Sequence, residues 1–297
     1  MKTMNKIFTI LLTLILLSCG EGTVEIGENT FSPKIVVEGY LVPGKYVENI
    51  RITKNFPINS KPNPMSILIT DALVKIIDLQ TNREYNLKYN PEKFSYESNE
   101  LIIDYDKSYK LFVEVNADGK KLKTTGITHT PKYGFRIIKE ESILDSLRYR
   151  EIDNNNLKKF KITFKPSEGT TFYAFSLMAQ DASENTFIFD NPYFDIKLED
   201  LKKNFDYYRY RALWIENINS TVNKISYEIE WFHIWFYGYY RLIVYAGDEN
   251  FRLFTLTYRN IQEQDGNFHE PRLNLTDDGI GIFGSYIADT VYIKVLK

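Results

Sequence analysis

Tyr109-Lys110-Leu111-Phe112-Val113-Glu114-Val115 runs into Asn116-Ala117-Asp118-Gly119 and then Lys120 through Thr125. Two extended segments joined by an Asn/Asp-Gly turn are the local signature of a β-hairpin. Towards the N-terminus the same pattern repeats at short intervals. Lys34-Ile35-Val36-Val37-Glu38-Gly39-Tyr40-Leu41 is rich in β-branched residues and stops at the turn dipeptide Pro43-Gly44. Around Glu48–Lys54, Val47, Ile50 and Ile52 alternate with Arg51 and Thr53, which fits a half-buried strand. Asn55–Pro64 holds Pro57, Pro62 and Pro64 and reads as a loop. Ala72–Asp78 and Glu84–Tyr89 read as further strands. Short strands separated by turn chemistry predict a β-sandwich of immunoglobulin-like or prealbumin-like type over 33–130.

Past His129-Thr130-Pro131 a second β-rich domain is predicted over 131–297. It opens with Phe135–Ile138, followed by polar Ser142–Asn156, which reads as a short helix or an excursion. Leu157–Phe164 and Thr171–Ala179 are strands by pattern, whereas Asn191–Arg211 mixes charge and aromatics without a clear period. Lys224–Tyr245 reads as strand throughout. Asp248 then resembles a helix N-cap, with Phe251, Phe254, Tyr258 and Ile261 at helical spacing. Ile282–Val295 returns to strand. The class is mainly β with one substantial helix.

Working back to the start, Met1–Lys6 carries two lysines and leads into an apolar run that ends at Leu16-Leu17-Ser18-Cys19-Gly20. A positive start, a short apolar core and small residues at the end are the parts of a secretory signal. The last residues resemble a bacterial lipobox, which implies cleavage after Ser18 and lipid on Cys19. Residues 1–18 are then the signal peptide, and several acyl chains on one residue give a stable membrane anchor. Residues 19–32 are glycine-rich and acidic and read as a flexible tether. Glu21, Glu25 and Glu28 fit an export signal towards the cell surface.

Composition narrows the function. The chain has 297 residues and a formal net charge of -2. Losing Lys2 and Lys6 with the signal makes it more acidic still, so a nucleic-acid partner is not expected. Cys19 is the one cysteine, so disulfides are excluded and the fold must stand on packing. Aromatic residues reach 15%, with 22 Tyr and 20 Phe, which suits β-rich cores and interfaces.

The densest aromatic cluster is Trp231-Phe232-His233-Ile234-Trp235-Phe236-Tyr237-Gly238-Tyr239-Tyr240. A strand covered on both faces and an exposed docking patch both write this pattern. Trp231, Trp235, Phe236, Tyr237 and Tyr239 are the candidate contacts for a partner or ligand. The histidines are His129, His233 and His269; none has another ligand at a metal-site spacing, so no metal is expected. Asp277-Asp278-Gly279, with Asp265 and Asn267 nearby, offers oxygens for calcium but lacks the alternating register of a calcium loop. Turn chemistry accounts for it equally well. Gly281-Ile282-Phe283-Gly284-Ser285 is neither a nucleophile elbow nor a phosphate loop, and its glycines fit a close backbone approach. Paired carboxylates cannot be singled out, so no catalytic residue, no cofactor and no enzyme activity are expected.

Taken together, the lipobox followed by Pro33–Leu41, then Ala72–Asp78 with the Tyr109 strand, then the closing Leu273–Ser285 segment, resemble the DUF4249 family of outer-membrane lipoproteins. The resemblance spans the mature chain, with Asn274-Leu275 and Asp277-Asp278 departing from the family's usual turn. That family has no established activity, so no catalytic residue transfers. Its members often neighbour TonB-dependent transporters. The resemblance therefore implies a lipid-anchored outer-membrane protein that accompanies a β-barrel and docks it through the second domain. Surface capture of a glycan or peptide is the alternative.

Overall fold

The computed structural model describes residues 31–57, 60–117, 119–219, 222–263 and 274–297. Cys19, the expected signal peptide, nearly all of the expected tether, Asp265, Asn267 and His269 lie outside the described residues. The chain is mainly β, as its alternation predicts. The first core is built by β1 (Ile35–Leu41), β2 (Tyr46–Lys54), β3 (Leu73–Asp78), β4 (Glu84–Asn90), β5 (Ser95–Ile102), β6 (Ser108–Ala117) and β7 (Lys120–His129). Period two sends one face of each strand inward: Ile35, Val37 and Leu41 from β1, Val74 and Ile76 from β3, Tyr109, Leu111 and Val113 from β6. Each such aliphatic side chain contributes about 1.5–3 kcal/mol by leaving water. The hairpin pairs Ser108 with His129 at one end and Ala117 with Lys120 at the turn.

The polar strand β5 escapes the alternation rule. Ser95-Tyr96-Glu97-Ser98-Asn99-Glu100 carries little apolar signal, and its pairing with β2 slips at Val47–Ile50, where Asn49 takes φ 59°. Tyr96 nevertheless fixes it: its hydroxyl accepts from Ala72 N (2.8 Å) and donates to Ile69 O (3.0 Å).

The second core is a sandwich. One layer holds β13 (Tyr173–Ala179), β14 (Tyr210–Ile215), β16 (Gly238–Gly247) and β17 (Gly279–Leu296); the other holds β8 (Arg136–Ile137), β12 (Phe160–Lys165) and β15 (Ile225–Ile229). Rings fill the gap, with Phe164 4.9 Å from Tyr173 and Phe175 stacked at 4.5 Å on Tyr227. The polar stretch after Ile138 is an excursion of short strands, β9 (Ser146–Arg148), β10 (Ile152–Asp153) and β11 (Asn156–Leu157). Asn154 and Asn155, both at positive φ, turn β10 into β11. Asn191–Arg211 holds two helices that periodicity misses, α1 (Leu198–Lys203) and α2 (Phe205–Arg209). Each is about a turn and a half, too short to display a 3.6-residue repeat. The expected helix is α3 (Glu249–Glu263), and Asp248 caps it by accepting from Phe251 N at 2.9 Å. The side chains of Tyr258 and Ile261 lie outside the described residues.

Both cores meet on β17. Gly279–Ser285 pairs in parallel with β1, and Tyr286–Val295 continues antiparallel to β16. The path β17-β1-β2-β5-β4-β3-β6-β7 then closes on itself: Gly126 bridges Leu275, and Thr276 N donates to Thr125 O at 2.9 Å. The first core ends at Leu122 apart from Phe283, and the second begins at Phe135. One sheet path nevertheless runs through both, and Pro33–Lys297 forms one compact unit.

A buried hydroxyl–carboxyl chain fastens the seam. Thr128 Oγ1 donates to Asp248 Oδ2 (2.5 Å), and Ser285 Oγ donates to His129 O (3.0 Å). Asp248 N donates to Ser285 O at 2.9 Å. Gly281 allows β17 to approach β1: at φ 106°, a Cβ there would stand 2.0 Å from Val37 O. Gly281→Ala is expected to destabilise the protein by about 3 kcal/mol or more, since positive-φ strain and steric overlap add. Gly169, also at positive φ but with nothing within 4 Å, should cost about 1 kcal/mol or less as Gly169→Ala. Denaturant melts of the two variants check the contrast.

Candidate functional site

The Trp231–Tyr240 stretch is not a continuous strand. Trp231–His233 is a single 3-10 turn, with His233 N donating to Glu230 O and Ile234 N to Trp231 O, both at 3.0 Å. A strand cannot bury Ile234, Trp235 and Phe236 in succession against one core, because neighbours point to opposite faces. The bend resolves this conflict and leaves backbone groups to be satisfied. The Tyr240 hydroxyl does so, accepting from Phe236 N (2.8 Å) and donating to Phe236 O (2.9 Å).

Three of the five candidate contacts therefore belong to the core: Trp231 is 1% exposed, Trp235 2% and Phe236 0%. Trp231 Nε1 donates to Lys158 O at 2.7 Å. Phe236 packs edge-on against Phe187 and Phe205. Tyr237 is half-buried, and Tyr239 stays exposed with the Lys294 ammonium 4.5 Å above its ring.

The exposed aromatic surface lies next to the predicted stretch, on residues contributed by the excursion around α1 and α2. Phe194 lies 5.2 Å from Trp235 and is 46% exposed. Tyr193 contacts Phe232 at 6.0 Å. Tyr207, 62% exposed, lies edge-on to Tyr208, which in turn packs on Trp235 at 4.9 Å. Trp235 is thus the buried floor on which exposed rings stand. Cations cover these rings: Arg211 stands 4.4 Å from the Tyr207 ring and 5.1 Å from that of Trp235. Arg209 lies over Tyr210, Arg150 over Tyr193, and Lys297 over Tyr237. Such stacking is worth about 0.5–2 kcal/mol per pair, more where water is excluded.

A profile of DUF4249, described as a domain of unknown function, matches residues 21–290. The chain belongs to the DUF4249 family. No curated protein matches it. Among solved structures it is similar to a tetra-tandem repeat from the extending region of a large adhesion protein, at 8% identity and TM-score 0.23, over 89% of this chain and 49% of that one. It spans about half the length of that protein. Chicken CNTN1 FN1–FN3 domains match at 9% identity and TM-score 0.25, over 89% of this chain and 68% of that one. A Salmonella alpha-2-macroglobulin matches at 10% and TM-score 0.24, over 89% and 15% respectively.

Elsewhere in this DUF4249 chain, a cavity of about 320 Å³ opens at the seam, lined by residues including Asp106, His129, Lys132, Glu168, Asp248 and Arg252. Its charges are already engaged: Lys132 with Glu168 at 2.8 Å, Arg252 with Glu249 at 2.8 Å and His129 with Asp106 at 3.0 Å. His129 Nδ1 also lies 2.9 Å from Ser108 Oγ. Serine, histidine and aspartate thus form a relay that sequence spacing does not reveal, because it depends on the cross-strand pairing of Ser108 with His129. The relay lies open to solvent, and Ser108 does not line the cavity. It therefore lacks the dry, enclosed setting in which such groups activate a nucleophile.

Asp277-Asp278-Gly279 serves as a turn that seats β17 against β7: Asp278 N donates to Lys123 O (3.1 Å), and Asp278 O accepts from Ile35 N (2.8 Å). Among the described residues no group of three or more His, Cys, Asp or Glu stands together as a metal site. Also among them, no helix is long and apolar enough to cross a membrane.

His233 sits beside the aromatic surface. Burial, followed by the Arg211 guanidinium, pushes its imidazole down from 6.5 to about 4, against an opposing pull from Glu230. A histidine with a depressed folded pKa contributes stability that is full above its unfolded value and lost as pH falls towards the folded one. Thermal melts should therefore show stability falling between about pH 6.5 and pH 4, and His233→Gln should flatten part of that fall.

Proposed function

We propose that this protein is a lipid-anchored outer-membrane binding protein, held by lipid on Cys19, that accompanies a β-barrel such as a TonB-dependent transporter and catalyses nothing. The observation that carries this reading is the cation-covered aromatic surface around Trp235, with Tyr193, Phe194 and Tyr207 exposed. Interfaces are enriched in Tyr, Trp, Phe and Arg and depleted in Lys and Glu at their centres, which matches this surface. A rigid floor beneath exposed rings also suits hot spots, because little side-chain entropy remains to be lost on docking. Capture of a glycan on a flat indole is less favoured, since Trp231 and Trp235 are both buried.

Purification of the Cys19-anchored protein from native membranes is expected to bring down a β-barrel in stoichiometric amount. Tyr207→Ala should weaken that complex about tenfold or more while leaving the melting temperature unchanged. Trp235→Ala, by contrast, should lower stability by about 3–5 kcal/mol, the usual cost of emptying a buried aromatic site. Recovery of the protein alone under the same conditions would remove the accessory role.

A further inference from the structure

Strands with one face on a core ordinarily turn charge to water on the other. In the first core, Glu38 on β1 meets Arg51 on β2 at 3.0 Å, and Lys75 on β3 meets Glu84 on β4 at 2.7 Å. In the second sandwich, Lys161 of β12 stands opposite Glu228 of β15. The layer β14-β13-β16-β17 departs from this. Its inward residues include Phe175, Leu177, Leu242 and Val291, so the alternate residues face out. Register sets these in rows across the four strands: Tyr210, Met178, Arg241 and Tyr292, then Ala212, Ser176, Ile243 and Thr290. Trp214, Ala174, Tyr245 and Ala288 form the next row, and Tyr239 with Lys294 stands at the other end. No outward position of this layer carries a carboxylate. Asp289 points the other way, accepting from Ile137 N of the opposite layer at 2.8 Å.

The first turn of α3 covers one end of this face, where Phe251 stacks 6.0 Å from Tyr245. Beyond it the rings stand in the open: Tyr210, Tyr239 and Tyr292 are exposed, Tyr292 to 59%. Met178 and Ile243 are half-buried between them. The charges here are cations. Lys294 lies 4.5 Å from the Tyr239 ring, and Arg209 lies 5.2 Å from the Tyr210 ring at the edge strand. Hydrogen bonds from Arg209, Arg241 and Lys294 go to Ala179 O, Met178 Sδ and the Tyr239 hydroxyl, not to carboxylates. A broad apolar face of this kind marks a surface that something covers. A second copy of the chain would bring the same cations and no acid, so the face does not complement itself.

We propose that the outward face of β14-β13-β16-β17 rests on an anionic lipid surface. Tyrosine, tryptophan, arginine and lysine around an aliphatic centre compose a membrane-interface belt. The rings bridge the apolar and wet layers, and the cations meet headgroup phosphates. Chain length permits this posture. Tyr292 lies thirteen residues beyond Gly279, the register partner of Ile35, which is about 40 Å along β17. The fourteen residues 19–32 span at most about 50 Å, so lipid on Cys19 lets the face reach the bilayer. This rests on the anchor reading above only for that approach.

The test uses the full chain with vesicles of phosphatidylcholine, alone or mixed with phosphatidylglycerol, whose acyl chains are brominated. Bromine quenches tryptophan fluorescence only at close range. Trp214 lies on the face, whereas Trp231 and Trp235 are buried in the core. Quenching is expected with phosphatidylglycerol and should fall away in phosphatidylcholine alone. Arg241→Gln should lower the docked-to-free ratio about fivefold, the effect of one cation at an anionic surface. Tyr292→Glu, at an exposed position, should lower it further and leave the melting temperature unchanged. Equal quenching in both vesicle types overturns the proposal, and so does quenching that survives Tyr292→Glu or Trp214→Phe. A dimer in sedimentation that Tyr292→Glu splits would give the face to a second copy and overturn it as well. Docking by a chain that mass spectrometry shows without lipid on Cys19 would remove the anchor and keep the face. A lipidated chain whose tryptophan is never quenched would do the reverse.

Discussion

The structure depends on one strand serving two cores. β17 completes the first core through its parallel pairing with β1 and continues as the neighbour of β16 in the second. Its fully buried Phe283 belongs to the first core, whereas Val291, Ile293 and Val295 belong to the second. The hydrogen bonds among Thr128, Asp248 and Ser285 then tie the cap of α3 to both halves. Burial pushes the Asp248 carboxyl up while Thr128 and the Phe251 backbone pull it down, so the seam is polar but satisfied. With no cysteine beyond Cys19, packing and this seam must supply the rigidity of the fold.

Alternation made most of the first core legible. β1, β3, β4, β6 and β7 each advertise an inward face, and the Asn/Asp-Gly turn signal foretells the last pair, in which Ala117 partners Lys120. β5 was not legible because its polar sequence is held by a bulge and by one tyrosine hydroxyl, neither of which has a period. Further along the chain the N-cap at Asp248 and the close approach at Gly281 could be read from residue type. The bend at Trp231–His233 could not, since it arises from a requirement to bury three consecutive side chains that only the tertiary setting imposes.

The candidate site shows the same division. Sequence marked the aromatic density, and of its five candidate contacts Trp231, Trp235 and Phe236 lie in the core while Tyr237 and Tyr239 reach the surface. The exposed rings Tyr193, Phe194 and Tyr207 lie in a stretch whose short helices carry no periodic signal. Arg211 follows the same logic. It looks ordinary in sequence, and its setting comes from the Tyr207 and Trp235 rings beside it. Composition does give a hint, because an aromatic-rich chain has more rings than its cores can hide.

The parallel pairing of β1 with β17 also bears on how the molecule assembles. Ile35 and Gly279 are register partners although most of the chain separates them. Loop closure over such a distance must precede any gain from the contacts it allows, which places the fold among slow, high-contact-order topologies. While the chain emerges in order, β1 must wait with one edge unpaired until the residues of β17 exist. An exposed, β-branched edge of this kind is a site for mispairing between chains. A late-paired edge is thus written into the strand order itself.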